Sequence, residues 1–249
     1  MEPREIEQGR LYRDLADIMP LISPPGEYAE EAAHWRTVLR EKLGEGKHPI
    51  LELGVGGGYN LSHLSHEFEA TAVDLSESML ALCRQLNPGV ELHQGDMRRI
   101  RLGRKFSAVL IHDAVSTMLS EADVSAAFGT AAAHLNPGGV LIASPDRYGE
   151  TFREPEIEKI VHSDCQRKLA CLEYTYDPDP VDTAVETIMV FLIESQGRLR
   201  IELDRHVTGL FPLTTWIRLM DEAGFRADVH SFVLGEDNRP YDLLVGVLR

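Results

Sequence analysis

Cysteine is scarce in this 249-residue chain: Cys83, Cys165 and Cys171, with no C-x-x-C spacing among them. Such an odd, sparse set excludes a disulfide framework and a thiolate zinc site, and no signal-peptide pattern opens the chain. It reads as a protein with reduced thiols, expected in the cytoplasm. Long apolar runs are missing as well. The longest, Ile188 to Ile193, suits a strand and falls far short of a membrane span. Basic charge is also in short supply, with 25 Lys and Arg against 40 Asp and Glu, a formal charge of −15. That field repels phosphate backbones and excludes nucleic acid as a partner. The one basic cluster, Arg98, Arg99, Arg101, Arg104 and Lys105, reads as a solvated face or as a contact to a substrate phosphate. No metal site is expected: His63 and His66 lack the H-E-x-x-H pattern, and His112 has no second ligand at a metal spacing.

Glycine is abundant in one place. From Pro49 to Asn60 an apolar run, Ile50 to Leu53, breaks into Gly54, Gly56, Gly57 and Gly58. A buried strand that runs into such a loop and then a helix, expected over Leu61 to Phe68, makes a cradle for a nucleotide-like ligand. The dinucleotide fingerprint G-x-G-x-x-G fails here, because its third glycine falls at Tyr59 or Leu61. Glu52 precedes the first glycine, where a carboxylate repels pyrophosphate and attracts a cation. S-adenosylmethionine, with its sulfonium and ammonium, is the common nucleotide of that kind.

A second acid stands 20 positions after Gly54, at the end of the apolar run Ala70 to Val73. Asp74 there is placed to accept ribose hydroxyls, with Leu75 beside it and Ser76 as the cap of a helix over Glu77 to Leu86. Taken together, Glu52-Leu-Gly-Val-Gly-Gly-Gly, the acid in Val73-Asp74-Leu75, Gly95-Asp96-Met97 and Leu135-Asn-Pro-Gly-Gly139 resemble a class I S-adenosylmethionine-dependent methyltransferase. The resemblance is strong over residues 48 to 145 and less sharp after Arg205. Within that family, Leu92 to Arg98 and Arg101 to Val109 are similar to the aminosugar N,N-dimethyltransferases of macrolide biosynthesis.

The resemblance implies an α/β fold. Its Rossmann-like sheet would be mostly parallel and seven-stranded, with an antiparallel last hairpin, and the apolar runs after residue 149 add an inserted antiparallel β meander. Residues 1–46 are expected as an N-terminal helical cap, with an amphipathic helix over Arg4 to Met19 and another over Glu27 to Leu43. Residues 47–148 and 205–249 form the cofactor-binding domain, and 149–204 three inserted strands, either a substrate lid or a contact between two copies. The family also implies that Asp96 accepts from the adenine amine and Met97 packs on its ring, while the cap covers the methyl group. Tyr12 and Tyr28 are candidates for that cover or for plain packing on a neighbouring helix.

Phe106 to Ile111 reads as the fourth strand, and it delivers His112 and Asp113 to the carboxyl edge where ligands of open α/β sheets sit. They are candidates to line the site and take a proton, or merely to cap the strand. Asp146, Arg147 and Tyr148 follow the fifth strand at the same edge and are expected to meet the substrate. His206 is a third possible base. Methyl transfer from a sulfonium is in-line displacement, so the enzyme mainly aligns the partners. A base is required only when the nucleophile arrives protonated. The acids favour a cationic acceptor, hence an amine over a hydroxyl of a small molecule such as an amino sugar. The competing readings are a catalytically silent S-adenosylmethionine sensor or assembly subunit and, against Glu52, a dehydrogenase.

Overall fold

Strand β1 (Pro49–Leu53) lies inside a seven-stranded sheet, buried on both faces as its mostly apolar run requires. Parallel strands β2 (Glu69–Asp74) and β4 (Phe106–Ile111) flank it, with β3 (Glu91–Gln94) outside β2 and β5 (Leu135–Ala143) outside β4. An antiparallel hairpin, β10 (Phe225–Leu234) and β11 (Arg239–Leu248), closes the β5 side, giving the order β10-β11-β5-β4-β1-β2-β3. The chain reverses direction of winding between β1 and β4, the switch point beside which such sheets hold ligands. The computed structural model describes residues 5–235 and 238–249.

Helices cover both faces of this sheet. On one, α2 (Ala29–Leu43) buries Ala32, Trp35, Val38 and Leu39, a stripe at helical spacing, beside α4 (Glu77–Leu86). On the other lie α5 (Glu121–Ala133) and α6 (Leu213–Glu222), with Phe128 against Trp216. Ser76, expected as a cap, accepts from the Met79 amide, and Ser120 caps α5 in the same way, accepting from the Asp123 amide. The helix expected over Leu61 to Phe68 is instead a single turn, α3 (Tyr59–Ser62), followed by further turns. Arg36 takes the His63 carbonyl there, while Leu61, Leu64 and Phe68 keep their buried stripe.

Two further differences bear on the site. The stretch Asn136 to Gly139 is an excursion within β5: Phe106 pairs with Leu135 and Ala108 with Val140. The insertion has four strands, β6 (Glu156–Ser163), β7 (Arg167–Tyr176), β8 (Ala184–Ser195) and β9 (Arg198–Gly209), in one antiparallel sheet. The expected three lacked β6, and the expected boundary at Asp204 falls inside β9. His206 therefore belongs to this second sheet.

The N-terminal segment is not one helix. After Gly9, with φ +71°, it makes tight turns at Arg10–Tyr12 and Ala16–Ile18, then the short α1 (Met19–Ile22). The start of the expected helix, Arg4, lies outside the described residues. Leu11, Leu15, Ile18, Leu21 and Ile22 pack on Leu169, Cys171, Met189, Phe191 and Ile193 of the second sheet, a core of their own. Residues 5–22 thus form a strap across the inner face of that sheet.

Candidate active site

The carboxyl ends of β1, β2 and β4, the strap and the inner face of the second sheet enclose a cleft of about 940 Å³. That is the upper end of the range for one small ligand and gives room for a cofactor with an acceptor. At its floor the loop after β1 takes positive φ at Gly54, Gly56 and Gly58. Gly54 is also sterically required: a Cβ there would stand 2.3 Å from that of Ala114 and 2.7 Å from Met97 Cε.

Glu52 is 2% exposed, and its Oε2 has no hydrogen-bond partner among the described residues. Burial pushes its carboxyl up to about 8, and Asp113 and Asp74 add to the rise while His112 opposes it. Asn60, 4% exposed, leaves both amide atoms unpartnered in the same cleft, as does the Tyr59 hydroxyl. Orphaned buried groups of this kind are costly unless a ligand completes them. An unsatisfied carboxylate beside an unsatisfied amide fits the zwitterionic amino-acid end of S-adenosylmethionine. Asp74 accepts from the Gly56 and Ser76 amides, both at 2.8 Å, and faces the cleft with Leu75. Burial raises its carboxyl in spite of those donors.

Asp96 and Met97 also line the cleft. Arg98 binds the Asp96 carboxylate through Nε and Nη2 and by its own amide, and reaches Asp123 at 2.7 Å. Hydrogen bonds from Arg98 hold the Asp96 carboxyl below its ordinary range. An adenine amine reaching Asp96 has to share an oxygen already engaged by Arg98. Three more cations of the basic cluster are used internally: Arg101 on Thr130, Arg104 on Thr71 and Glu91, Lys105 on the Ala133 and Leu135 carbonyls.

His112 is clamped between two carboxylates, Nε2 at 2.8 Å from Glu31 and Nδ1 at 2.6 Å from Asp113. Burial alone would lower the imidazole, but the charge and hydrogen bond of Asp113 and the hydrogen bond of Glu31 outweigh it and raise it well above its usual range. A cation with both nitrogens occupied has no lone pair for a proton, so the expectation of His112 as a base is corrected. Asp146 is open to the water of the cleft yet ringed by protein. That surrounding desolvation, with the negative charge of Asp113, pushes its carboxyl up to about 7, an effect complete only when a ligand displaces the water. Arg147 borders the cleft and pairs with Glu156 at 2.6 Å. Tyr148 does not reach the cleft. Its ring packs against the core beneath the sheet and its hydroxyl is buried without a partner, which corrects its expected contact with substrate.

The second sheet supplies the remaining wall, with Glu173, Thr187, Met189, His206 and Thr208. His206 bonds Asp204 at 3.0 Å and stacks on Tyr12, ring centroids 4.9 Å apart. Asp204, fully buried, also accepts from the Arg10, Leu11 and Arg205 amides. Burial would raise its carboxyl, but the His206 bond and these amides hold it below its ordinary range. At the other end of the same turn, Ser76 donates to the Tyr12 carbonyl, joining the strap to the loop that holds Asp74. Tyr28 lies between Tyr59 and His112, at 5.7 and 5.9 Å between ring centroids. Sequence reasoning did not single out Glu31, Asn60, Glu173 or Asp204. Asn60 alone carried a signal, as a polar residue opening the helix after the glycine loop.

Residues 50–139 match the family described as a methyltransferase domain. The chain is 32% identical, over 86% of its length and 91% of the relative's, to dTDP-3-amino-3,4,6-trideoxy-alpha-D-glucopyranose N,N-dimethyltransferase of Streptomyces venezuelae. It superposes on the crystal structure of Streptomyces venezuelae DesVI with a TM-score of 0.82 at 30% identity, covering 99% of this chain and all of that one. A likeness in fold alone extends to S-adenosylmethionine-bound CalS10, an amino pentose methyltransferase from Micromonospora echinaspora. That likeness has a TM-score of 0.78 at 23% identity and covers 99% of this chain and 100% of that one. With the orphaned Glu52 and the failed dinucleotide loop, these likenesses leave one conclusion: the chain belongs to the S-adenosylmethionine-dependent methyltransferases, in the family that includes this sugar N,N-dimethyltransferase.

Proposed function

We propose that the chain methylates the amino group of a nucleotide-linked amino sugar. The observation that carries this reading is the acidic acceptor end of the cleft, where Asp113 and Asp146 stand beside the cofactor cradle. The named relative acts on an amine of a dTDP-sugar, and an alkylammonium suits two carboxylates where a phenol does not. S-adenosylmethionine supplies an activated methyl group on a sulfonium. Glu52 and Asn60 hold its amino-acid end, Gly54, Gly56 and Gly58 let it approach the backbone, Asp74 takes the ribose hydroxyls, and Leu75, Asp96 and Met97 border the adenine. Tyr12 and Tyr28 close over the methyl end and exclude water.

Asp113 draws the acceptor ammonium in, fixed by His112, which Glu31 secures from behind. Asp146, near 7, takes the proton that an alkylammonium of pKa about 10 must lose before its lone pair can attack. Alignment supplies most of the acceleration. Arg147, held by Glu156, forms part of the acceptor side of the cleft, and His206 holds Tyr12 in place. Residues 47–148 with the last helix and hairpin act as the cofactor domain, and the second sheet as acceptor wall.

A second copy of the chain covers the outer face of that sheet. Ile157, Leu172, Leu192, Leu199, Ile201 and Leu203 project there with no cover from their own chain. Four of the charges on the face, Lys168 with Glu194 and Arg205 with Glu186, are already paired, so two copies can meet there despite the chain's overall charge.

The test is release of S-adenosylhomocysteine with a split panel, nucleotide-linked amino sugars against phenols and sugar hydroxyls. Turnover confined to the amines is expected. Turnover confined to hydroxyls would overturn the amine reading, and tight cofactor binding with no turnover would favour a silent sensor.

A further inference from the structure

One polar group on the acceptor wall is left without a strong partner. Glu173 on β7 pairs in register with Met189 on β8 and points into the cleft with it. Its polar neighbours on that wall are committed elsewhere: Thr187 to Thr175 at 2.8 Å, His206 to Asp204 at 3.0 Å, Arg147 to Glu156 at 2.6 Å. Among the described residues the one hydrogen bond of the Glu173 carboxylate is to the Cys171 thiol, a weak donor at 3.9 Å, while the charges of Glu158, His206 and Arg147 act on it without bonding it. A half-buried carboxylate accepts and cannot donate, so the group that completes it has to bring an O–H or N–H. The acceptor amine is spoken for by Asp113 and Asp146, which belong to the edge of the other sheet. Met189, next to Glu173, offers an apolar surface for a ring C–H.

We infer that Glu173 reads a hydroxyl group of the acceptor sugar, making it a specificity-determining residue that favours hydroxylated over more deoxygenated amino sugars. This rests on the amine reading above. Sites built to bond a substrate hydroxyl reject the analogue lacking it, by 10⁴-fold or more when fully enclosed. For a half-buried carboxylate the expected discrimination is about 100-fold.

The experiment compares kcat/KM for a nucleotide-linked amino sugar and for its analogues in which each ring hydroxyl in turn is replaced by hydrogen. It uses wild type, Glu173→Leu and Glu173→Gln. One analogue should fall about 100-fold with wild type. Glu173→Leu should narrow that gap to about threefold, mainly by losing rate on the hydroxylated sugar. Glu173→Gln, still an acceptor through its amide oxygen, should keep most of the gap. Calorimetric S-adenosylmethionine affinity, expected unchanged, reports that each variant is folded. Wild type that handles all analogues alike, or a preference that survives in Glu173→Leu, would overturn the inference while leaving N-methylation intact. No turnover of any amine by cofactor-bound wild type would overturn both.

Discussion

Glu52 is held in the fold at a cost, because an unpartnered buried carboxylate is worse placed than the same group in water. Its folded value of about 8 lies above the ordinary 4.5, so the native state binds the proton more tightly than the unfolded chain. Stability of the ligand-free protein is therefore expected to fall as pH rises from 4.5 toward 8, by up to about 1.4 kcal/mol per unit. Glu52→Gln should melt higher than wild type at pH 8 and bind S-adenosylmethionine more weakly by roughly 1.5–3 kcal/mol. Thermal melts and titration calorimetry check the two halves, and unchanged affinity would remove the assignment of Glu52 to the ammonium. Asp146 gives the opposite slope in activity. Its carboxyl has to be ionised to take a proton, so kcat, which reports the substrate-filled cleft, should climb with pH through about 7, a limb that belongs to the Asp113–Asp146 pair. Asp146→Asn should flatten it. Glu52 and Asp74 were legible in the sequence because strand, loop and acid are local. Glu31 was not, since its bond to His112 spans 81 positions and nothing near either residue marks the other.

Among elements, the parallel strands and their helices were legible from apolar runs and capping serines. Strand β6 was not. Ile157, Ile160 and Val161 do not alternate, and both faces of that edge strand stay partly open, so no period-2 signal forms. The strap misled for a different reason: Leu11, Leu15 and Ile18 have helical spacing, but Asp204 takes the Arg10 and Leu11 amides and sets a tighter turn from Gly9. That contact spans 194 positions. Asp204→Asn halves the carboxylate's acceptors, and each charged hydrogen bond lost is worth about 1.5–3 kcal/mol. The expected result is a strap cut several times faster in limited proteolysis, at Arg10 or Arg13, with the seven-stranded domain intact by mass spectrometry. Cleavage at the wild-type rate would mean that the apolar strap core alone holds the segment.

For the whole molecule, β8 carries the message. Val185, Met189, Phe191 and Ile193 are buried inward, while Ile188, Val190 and Leu192 alternate with them on the outer face. An antiparallel strand apolar on both sides requires two covers. The strap is one. The second copy proposed for the outer face has to bury about 800 Å² per partner to be stable, and the exposed Ile157, Leu199 and Ile201, at 60, 65 and 62%, lie within it. Light scattering should give twice the mass of 27.8 kDa for wild type and a monomer for Ile201→Glu. A wild-type monomer at micromolar concentration would discard the second copy. The sequence held the two-sided pattern in Ile188 to Ile193, yet it does not say which cover lies on which face.

The strap touches both halves of the cleft through one residue. The Tyr12 carbonyl is tied to Ser76, two residues from Asp74, and its ring lies on His206 of the second sheet. Under the roles proposed for Asp74 and the second sheet, cofactor and acceptor then share a single door, and a displacement of Tyr12 loosens the grip on both at once.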